Sequence, residues 1–396
     1  MTLSHQPLPD LQLPAPRGAC PFAPPPAYRQ APIARGTLWD GSTPWIVTRY
    51  QDVRAVLADP RFSSDPHRPG YPFPTPGYRA LMRDNPALLG MDSGGYERLQ
   101  RLVPGYFRGA AMEALRPRVQ RIADELLEEM AAGGTRADLV TALALPLPSR
   151  VICLVLGVPY EDHAFFHRRA CLLVDHHGDP EEIQRAAVEL LGYLERLAAT
   201  LRRAPDGSVV GRLAAQGELS TREIAGLAQL LLLAGYETTT NMIALSVLAL
   251  LRNPEQLARL RGRPGLVPGA VDELLRYLTV IQAGVARAAT EEVTVAGQLI
   301  RPGEGVLCMV SAANRDAEVF AEPDALEVTR PARRHLAFGY GVRRCLGHRL
   351  ARIELEVALA TLWRRLPGLR LAVPFEEIVF RPEVIIYGVA ALPVAW

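Results

Sequence analysis

The run FGYGVRRCLGHRLAR, Phe338 to Arg352, sets a single cysteine between two closely spaced glycines and a stretch with helical periodicity. Gly339 and Gly341 flank Tyr340, and glycines that close together let the backbone take positive φ and approach a bulky group with no Cβ in the way. Past Cys345, the residues Leu350, Ile353, Val357 and Ala360 recur at helical spacing. That pattern predicts a helix after the cysteine and puts the thiol at its N-terminus, where unpaired N–H groups and the helix dipole favour a thiolate. A lone cysteine is most often a small buried thiol in an ordinary turn. A dinucleotide loop is excluded, because Arg344 stands where the third glycine belongs and no βαβ unit surrounds it. A zinc site would need more cysteine or histidine at short spacing than His348 supplies.

The 396 residues contain no Ser/Gly-rich linker, charge block or repeat that would divide them, so one domain over residues 1–396 is expected. Half the chain is apolar and the formal net charge is +2, which allows a large core and gives no reason to expect a nucleic-acid partner. All 44 basic residues are arginine, so every cationic contact uses a planar, permanently charged fork. No apolar run reaches spanning length without a charge or a break, and the N-terminal residues lack a signal-peptide pattern. These features predict a cytoplasmic protein with no membrane partner. Five scattered cysteines, Cys20, Cys153, Cys171, Cys308 and Cys345, suit reduced thiols better than a disulfide framework.

Prolines exclude helix over most of residues 1–35, predicting an extended segment. From Tyr50 to Tyr277 the periodicity is mainly helical, with helices expected at 52–58, 98–103, 112–131, 150–156, 181–202, 220–251, 254–261 and 267–277. Ser220 and Glu223 form an S-x-x-E capping box. Strands are expected at 36–38, 45–47, 292–295, 298–300, 306–310, 378–380, 384–387 and 390–394. The fold class is therefore mainly α with small β additions.

One thiolate inside a glycine loop suits axial ligation of haem iron, which uses one cysteine and leaves the opposite face open. The run Phe338-Gly339-x-Gly341-x-Arg343-x-Cys345-x-Gly347 resembles the haem-binding signature of the cytochrome P450 family. The resemblance extends from CPFAPPP near the N-terminus to YGVAALPVAW at the end, and is strongest to soluble bacterial members that tailor natural products. It implies a helix-rich triangular domain with small β-sheets, with haem b lying between a long distal helix and the proximal cysteine loop. Cys345 would be the axial ligand of the haem iron. Glu273 and Arg276 match the family's E-x-x-R, and Arg330 falls where the family supplies a second arginine, which implies a buried charge network of structural role. Ala234-Gly235-Tyr236-Glu237-Thr238 matches the segment that crosses the open face of the haem. There Ala234 and Gly235 would let the helix come close and leave space for dioxygen, and Glu237 and Thr238 would relay protons.

By the same resemblance Arg343 and Arg287 would meet the haem propionates, with Phe338, Gly339 and Gly347 shaping the cofactor loop. The sequence departs from the family where Tyr96 and Gln100 replace a histidine and an arginine. Both can donate a hydrogen bond but neither brings charge, which predicts weaker haem retention or an altered potential. Val280, Ile281, Ala283, Ile386 and Tyr387 are expected to line the substrate pocket, with the loop from Phe62 to Leu89. The implied activity is a monooxygenase that consumes dioxygen, two electrons and two protons and most simply hydroxylates an apolar small molecule. Epoxidation, oxidative cyclisation or coupling are alternatives. A haem-binding protein without turnover is the non-enzyme alternative, and a colourless helical metal-binding protein is another. Electrons would come from a separate ferredoxin and ferredoxin reductase, the ferredoxin docking near Arg333, Arg334, Arg344, Arg349 and Arg352, and the protein is expected to be a monomer. Asp162, His163, His167, Asp175, His176 and His177 crowd one region, where His163 and His167 share a helix face as metal ligands can, but no general-base motif accompanies them.

Overall fold

The computed structural model describes residues 10–13, 15–79, 102–107, 109–173, 179–381 and 385–396. The chain forms two compact units, Met1–Arg83 with Asn253–Cys345 and Phe380–Gly388, and Asp84–Arg252 with Leu346–Val379 and Val389–Trp396.

The first unit is organised by strands β1 (Asp10–Gln12), β2 (Ile33–Thr37), β3 (Trp45–Val47), β4 (Phe62–Ser63), β5 (Val285–Ala289), β6 (Val293–Val295), β7 (Gln298–Ile300) and β8 (Gly305–Cys308). Six of them make one sheet in the order β1-β2-β3-β8-β5-β4, while β6 and β7 pair as a hairpin. Trp45, Ile46 and Val47 are buried on both faces of the sheet, which is why this short strand reads as a continuous apolar run. One side packs Val47, Val53, Leu57, Val306 and Leu336 around the helix Tyr50–Ala58. The other packs Tyr28, Ile46, Tyr71, Phe73 and Leu307. Strand β5 escaped the sequence reading because GVARAAT is rich in alanine, which has little strand preference. The predicted strand 306–310 is shorter than expected, since Val310 already opens a helical turn, Val310–Ala313.

The second unit is helical, with Arg116–Ala132, Pro146–Leu156, Pro180–Arg203, Val209–Gln216, Thr221–Arg252 and His348–Arg365 as its main elements. A three-stranded sheet of Arg136–Asp138, Arg370–Leu371 and Pro393–Ala395 accompanies them. The capping box forms as predicted: the Glu223 N–H donates to Ser220 Oγ at 3.2 Å and the Ser220 N–H to Glu223 Oε2 at 2.7 Å. The single helix expected over 112–131 is two, Gly109–Glu113 and Arg116–Ala132, with Pro117 in the first turn of the second. Thr221–Arg252 is long and apolar enough to cross a membrane by length and composition, but most of its apolar window is buried against the unit's other helices. It is a core helix.

Candidate functional site

The cysteine loop belongs to the first unit. Gly339 and Gly341 have φ of 70° and 77°, a conformation costly for any residue with a Cβ. At Gly341 space also matters: a Cβ there would lie 2.9 Å from the Leu57 carbonyl oxygen and 3.1 Å from the Ala58 Cα, so the loop is pressed against the end of helix Tyr50–Ala58. A Cβ on Gly339 would meet nothing within 4 Å, so this glycine borders open space. Arg54 donates to Tyr340 Oη at 2.7 Å, and the Cys345 N–H donates to the Phe338 carbonyl at 2.8 Å, closing the loop. The Cys345 thiol is exposed. The following helix starts at His348 with Gly347 as its cap, so Cys345 stands two residues ahead of the cap rather than in the first turn. Helix-end stabilisation of its thiolate is therefore smaller than the sequence suggested, since it fades within about one turn.

Behind the loop lies the E-x-x-R network. Glu273 and Arg276, one turn apart on Val267–Leu278, are both fully buried. Arg276 donates Nε to Glu273 Oε2 at 2.7 Å and Nη2 to Oε1 at 2.8 Å, and its remaining donors reach the carbonyls of Asn314, Pro323 and Ala325. Glu273 Oε1 also accepts from Arg330 Nε at 3.1 Å and the Glu327 N–H at 3.0 Å. The three residues expected to cluster do so. From there the restraint passes to the loop in two ways. The Leu336 N–H donates to Asn314 Oδ1 at 2.7 Å, and His335 stands 3.6 Å from Asp272 with its ring 5.5 Å from that of Phe338. Phe338 is the residue whose carbonyl holds the Cys345 amide.

Arg287 projects from β5 and is buried, donating Nη1 to its neighbour Ala286 O at 2.8 Å. Among the described residues no carboxylate pairs with it. Two tyrosines that sequence reasoning missed adjoin it. Tyr71 and Tyr78 are hydrogen-bonded to each other and feel the Arg287 charge, and Tyr71 also feels that of Arg343. Burial pushes the Tyr71 hydroxyl well above the usual phenol range, with the two guanidinium groups working against it. Cys308 nearby is driven up to about 12 by burial, so it remains a thiol. Tyr96 and Gln100 lie outside the described residues, as do 174–178, and nothing is described of the His163 and His167 side chains.

In the second unit, Ala234, Gly235, Glu237 and Thr238 lie along Thr221–Arg252 with no break in the helix. Thr238 Oγ1 donates back to the Ala234 carbonyl at 2.9 Å, Thr240 Oγ1 to Tyr236 O at 2.9 Å, and Asn241 Nδ2 to Glu237 O at 3.0 Å. The local back-bonding available to mid-helix threonines is thus present. A Cβ on Gly235 would make only ordinary contact, 3.5 Å from Ile152 Cδ1. The packing of this unit would accept alanine there.

Of the expected pocket residues, Val280 is buried and Ile281 and Ala283 are half-buried, all in the first unit. Ile281 bridges to Ile386, the Gln282 N–H donates to Ile385 O at 3.2 Å, and the Tyr387 N–H to Val280 O at 2.8 Å. Tyr387 carries the Arg17 guanidinium 3.4 Å from its ring centre and stacks with the ring of Phe380 at 5.8 Å.

These groups fit a flat, dianionic, iron-bearing cofactor: an accessible thiol in a backbone-locked loop, open space beside Gly339, and two arginines, one of them buried without a carboxylate among the described residues.

A family model described as Cytochrome P450 matches residues 265–367, which hold the E-x-x-R helix and the cysteine loop. The chain is 58% identical to Cytochrome P450-SU2 of Streptomyces griseolus over 391 residues, 98% of this chain and 97% of the relative. It is 44% identical to a vitamin D3 dihydroxylase of the same species over 387 residues, 96% and 95% of the two chains. Among solved structures, the mycinamicin VIII C21 methyl hydroxylase of Micromonospora griseorubida, crystallised with mycinamicin VIII, is similar with a TM-score of 0.88 and 39% identity, covering 98% of this chain and all of that one. With such identity across nearly its full length and the family's helix-rich fold with small sheets, the chain belongs to the cytochrome P450 family of haem b monooxygenases.

Proposed function

We propose that the protein hydroxylates an apolar small molecule in bacterial secondary metabolism, with Cys345 as the residue that would hold the haem iron. The observation that carries this reading is the exposed thiol in a loop whose backbone is held by the buried Glu273–Arg276 pair and its partner Arg330. Bound haem supplies dioxygen activation, and a thiolate ligand favours O–O cleavage. Arg343 and Arg287 would take the propionates, with Tyr71 and Tyr78 as neutral neighbours. Phe338, Gly339 and Gly347 shape the loop around the cofactor. Glu237 and Thr238 hold and pass protons in the second unit, Thr238 accepting through the lone pairs left after its hydroxyl donates to Ala234 O. Packing does not require glycine at 235, since the surrounding side chains would tolerate a methyl group, and the space it leaves would serve dioxygen.

Hydroxylation is supported by relatives that are named as a vitamin D3 dihydroxylase and a C21 methyl hydroxylase. The residues Val280, Ile281, Ala283 and Ile386 are apolar and suit an apolar substrate. Reduction requires redox partner proteins, and an acidic ferredoxin in the cytoplasm, serving a monomeric enzyme, is the donor we favour. Arg333 and Arg344 are exposed in the first unit and give it a cationic footing. The deciding experiment is the absorbance spectrum of the reduced, carbon-monoxide-treated protein. Wild type should give the red-shifted band of a thiolate-ligated haem and Cys345→Ser should lose it; retention of the band would refute the assignment. Reversing Arg333 and Arg344 to glutamate should slow electron transfer and flatten its salt dependence, and unchanged rates would remove these arginines from the docking site.

A further inference from the structure

The N-terminal segment, which the sequence marks only as proline-rich and extended, carries an arginine with a specific set of partners. Arg17 donates Nη1 to the carbonyls of Pro21 at 3.1 Å and Ala23 at 2.7 Å, so it folds its own segment into a tight hook. Its Nε donates to Gln282 Oε1 at 3.3 Å, and its guanidinium carbon lies 3.4 Å from the centre of the Tyr387 ring. Both contacts join residues more than 250 positions distant in sequence. Nη2 is buried with no hydrogen-bond partner among the described residues, and no carboxylate pairs with the side chain there. Burial depresses its pKa to about 10, so it is still a cation at neutral pH.

The partners matter because of where they sit. Gln282 and Tyr387 are both buried and belong to two facing segments joined by the Ile281–Ile386 bridge and by the Gln282 and Tyr387 amide bonds to Ile385 and Val280. In an extended segment neighbouring side chains point to opposite sides, so with Tyr387 turned to Arg17, Ile386 faces away from it. The clamp is extended by an aromatic series. Tyr387 stacks on Phe380 with planes 8° apart, Phe380 meets Phe22 edge-on at 6.5 Å, and Phe22 lies 6.2 Å from Tyr277. A second arginine, Arg315, caps the far end at 3.9 Å over Tyr277 and donates to the Phe22 carbonyl at 3.0 Å.

We propose that Arg17 is a positioning residue for substrate recognition, locking segments 280–284 and 385–387 together from behind so that Ile281, Ala283 and Ile386 form one rigid wall toward the substrate. The inference rests on the reading above that these residues line the substrate pocket.

Two azoles that bind haem iron and report by an absorbance shift test it in the haem-loaded protein. Imidazole reaches the iron without needing the wall, whereas 4-phenylimidazole carries an apolar ring that does. Arg17→Ala should weaken 4-phenylimidazole roughly ten-fold and leave imidazole unchanged. Arg17→Met, which keeps the stem but loses the cation and its hydrogen bonds, should do the same if the alanine variant folds poorly. Amide hydrogen exchange at Gln282 and Tyr387 should rise in both variants while the hairpin of β6 and β7 is unaffected, a local signature that a general loss of stability would not give. If Arg17 variants bind both azoles as wild type does while Ile386→Ala weakens 4-phenylimidazole, the role of Arg17 is refuted and the wall stands. If Ile386→Ala and Ile281→Ala also change nothing, the wall itself is wrong and the proposal falls with it.

Discussion

Glu273→Ala is the most severe single test of how the cysteine loop is held. The carboxylate is fully buried and accepts four hydrogen bonds, two from Arg276, one from Arg330 and one from the Glu327 amide. Removing it leaves the Arg276 cation with no counter-charge at a site with no solvent, although three backbone carbonyls still accept from it. Breaking a buried pair from one side costs about 3–5 kcal/mol, and the orphaned Glu327 amide adds about 1 kcal/mol. The remaining carbonyl contacts argue for the lower end, so about 4 kcal/mol is expected. Arg330→Ala should cost only about 1–2 kcal/mol, because that side chain is 12% exposed and Glu273 keeps its stronger partner. Replacing both members, Glu273→Leu with Arg276→Met, should cost less than the sum of the two single changes, since neither leaves the other stranded. Urea unfolding followed by circular dichroism measures each of these variants, the two single changes of the double included, and haem content after reconstitution reports the effect on the loop. A Glu273→Ala cost below about 1 kcal/mol, or one no larger than that of Arg330→Ala, would show that the pair is not what fixes the loop.

Thr238→Val removes the hydroxyl that donates to Ala234 O but keeps the shape, so stability should change by no more than about 1 kcal/mol. If Thr238 manages protons, product formed per electron consumed should fall and hydrogen peroxide should rise; unchanged coupling would discount it. Glu354 is 3% exposed on His348–Arg365, and burial raises its carboxyl from 4.5 to about 8. The folded protein therefore holds a proton there that the unfolded chain has lost between those values, so this group makes stability fall as pH rises through that window. Glu354→Gln should flatten the fall in urea midpoint between pH 5 and 9 relative to wild type, and parallel curves for the two proteins would contradict the buried, neutral carboxyl.

What could be read from the chain was whatever a residue type explains locally. The glycines around Tyr340 announced positive φ, and they have it. The Ser220 box announced a helix start, and both its hydrogen bonds form. Glu273 and Arg276 were legible as a pair one turn apart, but not their depth, because the segment from Asn314 to Arg330 that covers them has no periodicity to reveal its course. Tyr71 and Tyr78 sit in RPGYPFPTPGY, which reads only as a loop, and their meeting with Arg287 depends on β5, the strand that alanine concealed. Arg17 was hidden for a similar reason. Among the described residues of 10–35 the prolines leave no α-helix and one 3-10 turn, Pro26–Arg29, yet an excluded helix says nothing about which carbonyls a side chain will find.

The absence of lysine connects these hidden contacts. Irregular segments leave backbone carbonyls without ladder partners, and a buried carbonyl must still be satisfied. In the first unit, arginines do this repeatedly. Arg276 takes Asn314, Pro323 and Ala325, Arg315 takes Pro323, Phe22 and Tyr277, Arg330 takes Ala321, Glu322 and Ala325, and Arg17 takes Pro21 and Ala23. A guanidinium can serve several carbonyls from one fixed plane and still lay its face on a ring, as Arg17 does on Tyr387 and Arg315 on Tyr277. An ammonium offers three donors from a single point and no flat face. The same fork that closes the N-terminal hook also reaches Gln282, so here a composition bias becomes a means of coupling a segment without secondary structure to the proposed substrate wall.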